Sequence, residues 1–544
     1  MVRRARVGTS PTARARRRRA SAPPALLLVG GWIAALVALV PLAYLVVRTG
    51  EAGPARVLEI LTRPRTLELI GRSVALTVIV TTGALLLGIA IALLVTRTDL
   101  PGRRVLAVLA GLPLAVPSYV AAFAWLTTAP WARGLLGASV VLTLVSFPYV
   151  YLPVAAALRR TDPAQEEVAR SLGAGVLTTF ARVTVPQIWP AAASGGLLVA
   201  LYTLSDFGAV AMLQCDVFTR AIFMSYSASF DRTPAAVLAC LLVLLTVVIT
   251  LGERRTRRGD ETARVGAGVS RDHAPAPLGA VGGAGLARWL WWSGCVGLLL
   301  LALGVPLYGI LRWTRESVAA GIDVDRLVTS TLATAQYSFA GAAACTVLAI
   351  PVGILAARYR GPQVRAIESA SWAGHALPGI VVALSLVFFG LRVVPGVYQE
   401  WPLLVFAYVV LFLPAAVGAV RAAVALSSPA LEDVSRSLGH SALATWRRVT
   451  LPLAAPGIAT GAALVTLTCA KELPATLMLH PTGVETLATS LWTHTSIAAY
   501  GGASPYAAML VLLGLAPTVW LLHTSGVIGR SSAARPSLSK EADR

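Results

Sequence analysis

Apolar residues run along this chain in long blocks rather than in strict alternation. Blocks of about 20 residues or more, the length a helix needs to cross roughly 30 Å of hydrocarbon, fall at 26–47, 73–96, 104–129, 135–158, 191–213 and 235–252. A second set follows at 289–311, 328–357, 366–391, 402–425, 454–480 and 505–525, with proline and polar residues blurring several edges. A backbone inside lipid must satisfy its own hydrogen bonds, so only helices or a closed barrel cross it, and runs this long exclude barrel strands. The pattern predicts an all-α polytopic membrane protein of about twelve transmembrane helices.

Composition agrees. Of 544 residues, 56% are hydrophobic and 13% charged, and the mean hydropathy is +0.73, far from the balance of soluble domains. The net charge of +21 would suit nucleic acid if it were spread over a surface, but it clusters beside the apolar blocks. Eight arginines and no acids occupy the first 19 residues; Arg97, Arg103 and Arg104 flank the second and third blocks; Arg159, Arg160, Arg170 and Arg182 follow the fourth; Arg254, Arg255, Arg257 and Arg258 follow the sixth. By the positive-inside rule these segments share the cytoplasmic side, which places both termini and the central linker there, in a cell membrane, with the bilayer and not nucleic acid as partner. The arginine-rich start resembles the n-region of a cleaved signal, but Leu26 to Val47 is too long for one and lacks a small-x-small exit, so an uncleaved first span is expected. Five cysteines, Cys215, Cys240, Cys295, Cys345 and Cys469, show no paired spacing and read as small core residues rather than a disulfide or metal frame.

Residues 253–288 are charged and then rich in Gly, Ala and Pro, with no apolar period that would bury a face, and so form a linker. Across it the chain repeats itself. EEVARSLGAGVLTTFARVTVPQIWP from Glu166 matches EDVSRSLGHSALATWRRVTLPLAAP from Glu432 without a gap. At the same separation of 266, Gly173 falls on Gly439, Phe180 on Trp446, Pro186 on Pro452, Pro148 on Pro414 and Asp206 on Glu472. VPSYVAAF from Val116 resembles LPGIVVAL from Leu377 at a separation of 261. The organisation expected is a tail over 1–25, a six-helix unit over 26–252, the linker 253–288, a second unit over 289–525 and a tail over 526–544. Two such units imply a pseudo-twofold axis along the membrane normal and a path where they meet.

The repeated segments, 162–190 and 428–458, lie between the fourth and fifth spans of each unit. Asp162-Pro163 and Ser428-Pro429 pair an N-cap residue with proline at the first helical position, which opens a helix. Gly173 and Gly439 then stop it by accepting a left-handed conformation. A second short amphipathic piece, with Phe180 and Val183, or Trp446 and Val449, on one face, is expected to end at Pro186 or Pro452 and to offer an aromatic knob with flanking charges.

These segments resemble the EAA loop, E-A-A-x-x-x-G followed by an aromatic, V and L-P, of the permeases of ABC importers. The resemblance implies a type I-like permease fold and a coupling helix docked on a cytoplasmic ATPase. Carried over by position, Glu167 and Gly173, with Asp433 and Gly439, take the acidic and glycine roles. Glu166, Phe180, Pro186, Glu432, Trp446 and Pro452 complete the candidate coupling set. The motif's two alanines read Val168-Ala169 and Val434-Ser435 here.

This chain itself lacks a P-loop, because both lysines, Lys471 and Lys540, are followed by Glu rather than Ser or Thr. ATP and Mg would therefore be used by a separate ATPase, in two copies for two loops, with no cofactor bound here and no catalytic residue. A secondary transporter would also show repeats and intramembrane charge, but ion coupling gives no reason for a repeated docking loop. A membrane enzyme would need a motif such as HExxH or GxSxG, and none occurs.

KELPATLMLHPTGVETLATSLW from Lys471 and SDFGAVAML from Ser205 are similar to the fused permeases of ferric-iron importers, which implies an extracytoplasmic binding protein as a further partner. Permeases for thiamine or phosphonate-type solutes form the alternative. Asp206, Lys471 and Glu472 sit at equivalent places in the fifth and eleventh spans, just past the midpoint, and either pair helices or line a translocation pathway. Tyr119 and Tyr337 read as core or interface aromatics. His480 and His494 are weak candidates near the outer face, and no metal site is assigned.

Overall fold

A computed structural model describes residues 23–129, 131–159, 161, 163–228, 231–257 and 286–524. Residues 1–22 of the first tail, the whole of the last tail, most of the linker and the expected cap Asp162 lie outside the described residues. Within them the regular structure is helical. Among the described residues ten helices are long and apolar enough to cross a membrane, from Ala25–Glu51 to Tyr500–Trp520.

Two of the twelve expected spans are broken instead of continuous. The third is a pair, Arg103–Ala115 and Ser118–Thr128, bent by 96°. Its counterpart is Pro362–Ser371, a short 3-10 turn over Ala373–Ala376, and the apolar helix Gly379–Arg392. The cause is local. Val116 and Leu377 each precede a proline and are held extended, at ψ 117° in both, as proline requires of its neighbour. The following helix then restarts after Pro117 or Pro378. Irregular backbone at this depth persists only where protein buries it, and Val116 and Leu377 are buried.

The fifth and eleventh spans also differ from expectation. They begin earlier, within the repeated loops, as Phe180–Ser205 and Leu443–Ala470. They end before the SDFGAVAML and KELPATLML stretches, which form separate short helices, Gly208–Met212 and Pro474–Leu479. Asp206 and Lys471-Glu472 therefore mark helix ends rather than mid-span positions.

The two halves interlock. The first span of the first half packs on the second and third segments of the other half, and the first span of the second half, Arg288–Ala320, packs on Ser118–Thr128 and on the last span of its own half. Small residues allow the approach: a Cβ on Gly31 would lie 3.0 Å from Leu355 and 3.1 Å from Ile367, and one on Gly309 would lie 2.9 Å from Ala124. The fourth spans, Gly134–Leu158 and Trp401–Leu426, form the centre, with 72% and 67% of their most apolar stretch buried against 28% for Ala25–Glu51.

Candidate coupling loops and interface cavity

Each repeated loop opens with a nine-residue helix, Pro163–Ser171 or Pro429–Ser437. Ser428 caps the second by accepting from the Ala430 N–H at 3.3 Å. The helices stop at Gly173 and Gly439, both at φ +87°, where the chain folds back as the Ala174 N–H donates to Ala169 O at 3.0 Å and the His440 N–H to Ser435 O at 3.3 Å. Positive φ explains the glycines.

After the turn the chain does not form a separate piece ending at Pro186 or Pro452. Short helices at Val176–Thr179 and Ala442–Thr445 lead through single π-turns, Phe180–Thr184 and Trp446–Thr450, straight into the fifth and eleventh spans. The Val185 N–H bonds Phe180 O, and the Leu451 N–H bonds Trp446 O. Proline cannot donate and its ring crowds the carbonyl four residues back, so a wide turn just before it lets the helix continue. The same device recurs at Leu300–Gly304 ahead of Pro306.

The aromatic positions also differ from expectation. Phe180 and Trp446 are only partly exposed, and Trp446 packs against the core, so neither forms a projecting knob. The exposed apolar tips are Val168 and Leu172 in one loop and Val434 and Leu438 in the other, with Leu172 81% and Leu438 73% exposed. In each pair the leucine follows directly on the short helix and its N–H bonds the valine carbonyl four residues back, at 3.0 and 3.1 Å, and the pairs correspond at the repeat separation.

The acidic residues divide their roles. Glu167 and Asp433 are exposed. Glu166 and Glu432 instead turn back toward the membrane. Glu166 pairs with Arg97 at 3.3 Å and accepts from Thr184 Oγ1 at 3.0 Å. Glu432 pairs with Arg358 at 2.9 Å and accepts from Thr450 Oγ1 at 3.0 Å. Arg97 and Arg358 are the last residues of the second span in each half. Each loop is thus strapped to the end of a membrane helix by a pair whose side chains are only 13–19% exposed. Sequence reasoning did not single out Arg358, Thr184 or Thr450 and treated Arg97 only as a flanking charge. The repeat itself held the signal: Arg97 and Arg358 are separated by 261, and both the glutamates and the threonines by 266.

An Asp at Gly439 would face open space, since a Cβ there meets nothing within 4 Å, but would have to hold φ +87°. The strain costs roughly 1 kcal/mol or more and re-aims the exposed tips. Gly439→Asp is expected to abolish transport while the purified chain elutes as folded protein on size exclusion. Wild-type uptake by the Gly173→Asp, Gly439→Asp double variant would show that the loops are surface decoration.

At the other end of the fifth and eleventh spans, the two breaks face each other across a cavity of about 560 Å³ lined by both halves. Asp206 accepts from the N–H groups of Ala209 and Val210, at 3.0 and 3.3 Å, and from the Ser118 hydroxyl. Glu472 accepts from the N–H groups of Ala475 and Thr476, both at 2.9 Å, and from Thr476 Oγ1 at 2.9 Å. Each carboxylate caps the short helix that follows it, where free N–H groups favour negative charge.

The position of Ser118 corresponds to Gly379 in the second half, where a Cβ would lie 3.0 Å from Glu472 Oε1. The first half combines the shorter acid with serine, and the second the longer acid with glycine, so the two breaks fill similar space with different atoms. Lys471, adjacent to Glu472, points elsewhere: its Nζ donates to Leu114 O of the first half at 3.2 Å.

On the far side of the cavity from the repeated loops, Phe207, Phe223 and Trp492 close together with ring centroids 4.9, 5.2 and 6.0 Å apart. Phe207 also lines the cavity. Tyr119 is buried and lines it as well, whereas Tyr337 is buried elsewhere. His480 and His494 are engaged locally, with Pro481 O at 3.1 Å and Ser490 O at 2.8 Å. Among the described residues no cluster of three or more His, Cys, Asp or Glu is placed to hold a metal ion. The cavity lies between the two halves, and both carboxylates on its wall are already engaged by backbone N–H groups.

Comparison with known proteins accounts for the duplication. The family described as "binding-protein-dependent transport system inner membrane component" matches twice, over residues 84–258 and 349–523. The chain is 36% identical over 499 residues to the Fe(3+)-transport system permease protein of Haemophilus influenzae, covering 90% of this chain and 97% of that protein. It is 28% identical over 253 residues to the sulfate transport system permease protein CysT of Escherichia coli, covering 41% of this chain and 90% of the relative. It is 29% identical over 195 residues to a putative 2-aminoethylphosphonate transport system permease protein of Salmonella choleraesuis, covering 32% and 67%. With helices that cross the membrane, two equivalent halves and the family's sequence pattern in each, this chain is a fused two-unit member of the binding-protein-dependent transport system inner membrane components.

Proposed function

We propose that the chain is the permease of an ATP-driven importer of ferric iron, which an extracytoplasmic binding protein delivers and two copies of a separate cytoplasmic ATPase power. The observation that carries the substrate is the resemblance to the Haemophilus Fe(3+) permease along nearly the whole of both chains; the sulfate and phosphonate relatives match less of it and at lower identity. The paired loops, as docking sites for that separate ATPase, are what support ATP as the energy source. The arginine distribution favours an orientation in which the repeated loops and both termini face the cytoplasm.

A ligand moves a conformational equilibrium only through contacts that differ between states. Closure of an ATPase dimer would press on the exposed Val168–Leu172 and Val434–Leu438 tips. The Glu166–Arg97 and Glu432–Arg358 pairs pass that displacement to the second spans, which pack on the fourth. The fourth spans contribute Val145, Tyr149, Leu411 and Phe412 to the cavity wall, so movement at the loops reshapes the passage. The Phe207, Phe223 and Trp492 cluster then acts as the outer closure, parted when the binding protein is engaged.

Cells deleted for this chain are expected to lose uptake of ferric iron supplied by a binding protein while thiamine uptake is unchanged. Normal iron accumulation with no other iron route operating would overturn the substrate. Separately, a reporter fused at the C-terminus should signal cytoplasm and one inserted at Gly396, in the turn Pro395–Val397, should signal the outside. The opposite pair of signals would overturn the orientation.

A further inference from the structure

A second cavity, of about 520 Å³, opens at the membrane edge of the second half, on the face that carries the repeated loops. Its wall includes four arginines, Arg358, Arg360, Arg365 and Arg421, against one acid, Glu368. Arg358 is engaged by Glu432, and Arg421 pairs with Glu368. Arg360 and Arg365 are exposed, and among the described residues neither has a carboxylate within ion-pair distance.

The helix Pro362–Ser371 begins at this cavity without a side-chain cap and with no acid in its first turn, so its free N–H groups add to the positive field. Two of the four cations are peculiar to this half. At the corresponding positions the first half carries Asp99 for Arg360, Ala155 for Arg421 and Ala107 for Glu368, while Arg97 and Arg104 match Arg358 and Arg365, and Asp99 lies 4.0 Å from Arg288.

We propose that this cavity binds the phosphodiester headgroup of an anionic phospholipid in the adjoining leaflet. Depth argues for a lipid. Arg358 ends a 35-residue helix, about 50 Å long, which overruns a hydrocarbon core of roughly 30 Å and places its last turn among headgroups. The wall is also two-sided, with Ala356, Ala357 and Ala425 beside the guanidinium groups, and Leu426 next to it is 88% exposed. A guanidinium fork matches phosphate oxygens geometrically as well as by charge. The lipid would sit beside the Glu432–Arg358 strap, which makes coupling in the second half sensitive to membrane composition.

The test uses the full chain with its ATPase in nanodiscs of phosphatidylcholine titrated with phosphatidylglycerol, and native mass spectrometry counts the retained lipid. Phosphatidylglycerol should be retained by the wild type and bound about thirtyfold more weakly by Arg360→Gln, Arg365→Gln, as expected for loss of two basic groups near the surface. Arg103→Gln, Arg104→Gln in the first half should behave as wild type, and inorganic phosphate alone should neither bind nor compete. Equal retention by the two variants overturns the proposal. So does saturable binding of inorganic phosphate that is lost in the same variant, which would make the cavity a free-anion site. Loss of ATPase co-purification with lipid retention unchanged overturns it too, by assigning the arginines to the protein partner.

Discussion

Removing both straps, with Glu166→Ala and Glu432→Ala together, should reduce substrate uptake by about tenfold or more while leaving the chain inserted and folded. The reason is the position of the pairs. Each lies at the join between a loop outside the membrane and the last residue of a membrane helix, at 3.3 Å to Arg97 and 2.9 Å to Arg358. Fully buried pairs cost about 3–5 kcal/mol when one partner is removed, and exposed ones under about 1 kcal/mol. Side chains 13–19% exposed fall between, at roughly 1–3 kcal/mol each. That energy holds the loop's orientation, so its loss falls on coupling more than on folding, which rests on the buried helices. Uptake and ATP hydrolysis measured together in proteoliposomes check this: hydrolysis should persist without transport. The exchanged pair Arg358→Glu, Glu432→Arg, combined with Glu166→Ala, should recover part of the loss. Full transport by the double alanine variant would show that the straps do not carry the displacement.

The second large effect concerns the facing breaks. Gly379→Ser should destabilise the protein by about 1–3 kcal/mol, the usual cost of overpacking, because its Cβ would already lie 3.0 Å from both Glu472 Oε1 and Pro474 Cγ. Adding Glu472→Asp should restore most of the stability, since the shorter acid reproduces the Ser118–Asp206 arrangement of the first half. Residues in direct contact couple, whereas distant ones add. Thermal unfolding of the four proteins of this cycle in detergent gives the coupling, expected to favour the double variant by about 1 kcal/mol or more. Simple additivity would mean that the two breaks are not interchangeable solutions to one packing problem. Uptake by the double variant would further report whether Glu472 is needed for its length or only as a cap on Pro474–Leu479.

Membrane residence, the duplication and the loop turns were legible in the sequence because each depends on local, periodic or repeated chemistry. Twenty apolar residues have few alternatives to a membrane helix, and a glycine at the same place in two copies marks a positive φ that other residues resist, borne out at +87° in both. Proline, by contrast, misled in two opposite ways. At Pro117 and Pro378 it broke spans that looked continuous. At Pro186 and Pro452 it failed to end helices, because a preceding π-turn absorbed its missing N–H. Which outcome follows is set by what packs around the bend and can satisfy the freed backbone groups, and no single stretch of sequence contains that information. The same holds for the acids of the loops. Glu166 and Glu167 are neighbours of one chemical type, yet only Glu166 meets Arg97, 69 residues earlier. Hydropathy and repetition act along the chain and can be read there. The straps and the contacts of Ser118 with Asp206 and of Glu472 beside Gly379 join residues far apart within one half, and the stacking of Phe207 against Trp492 joins the two halves, so all of them were decided only by tertiary packing.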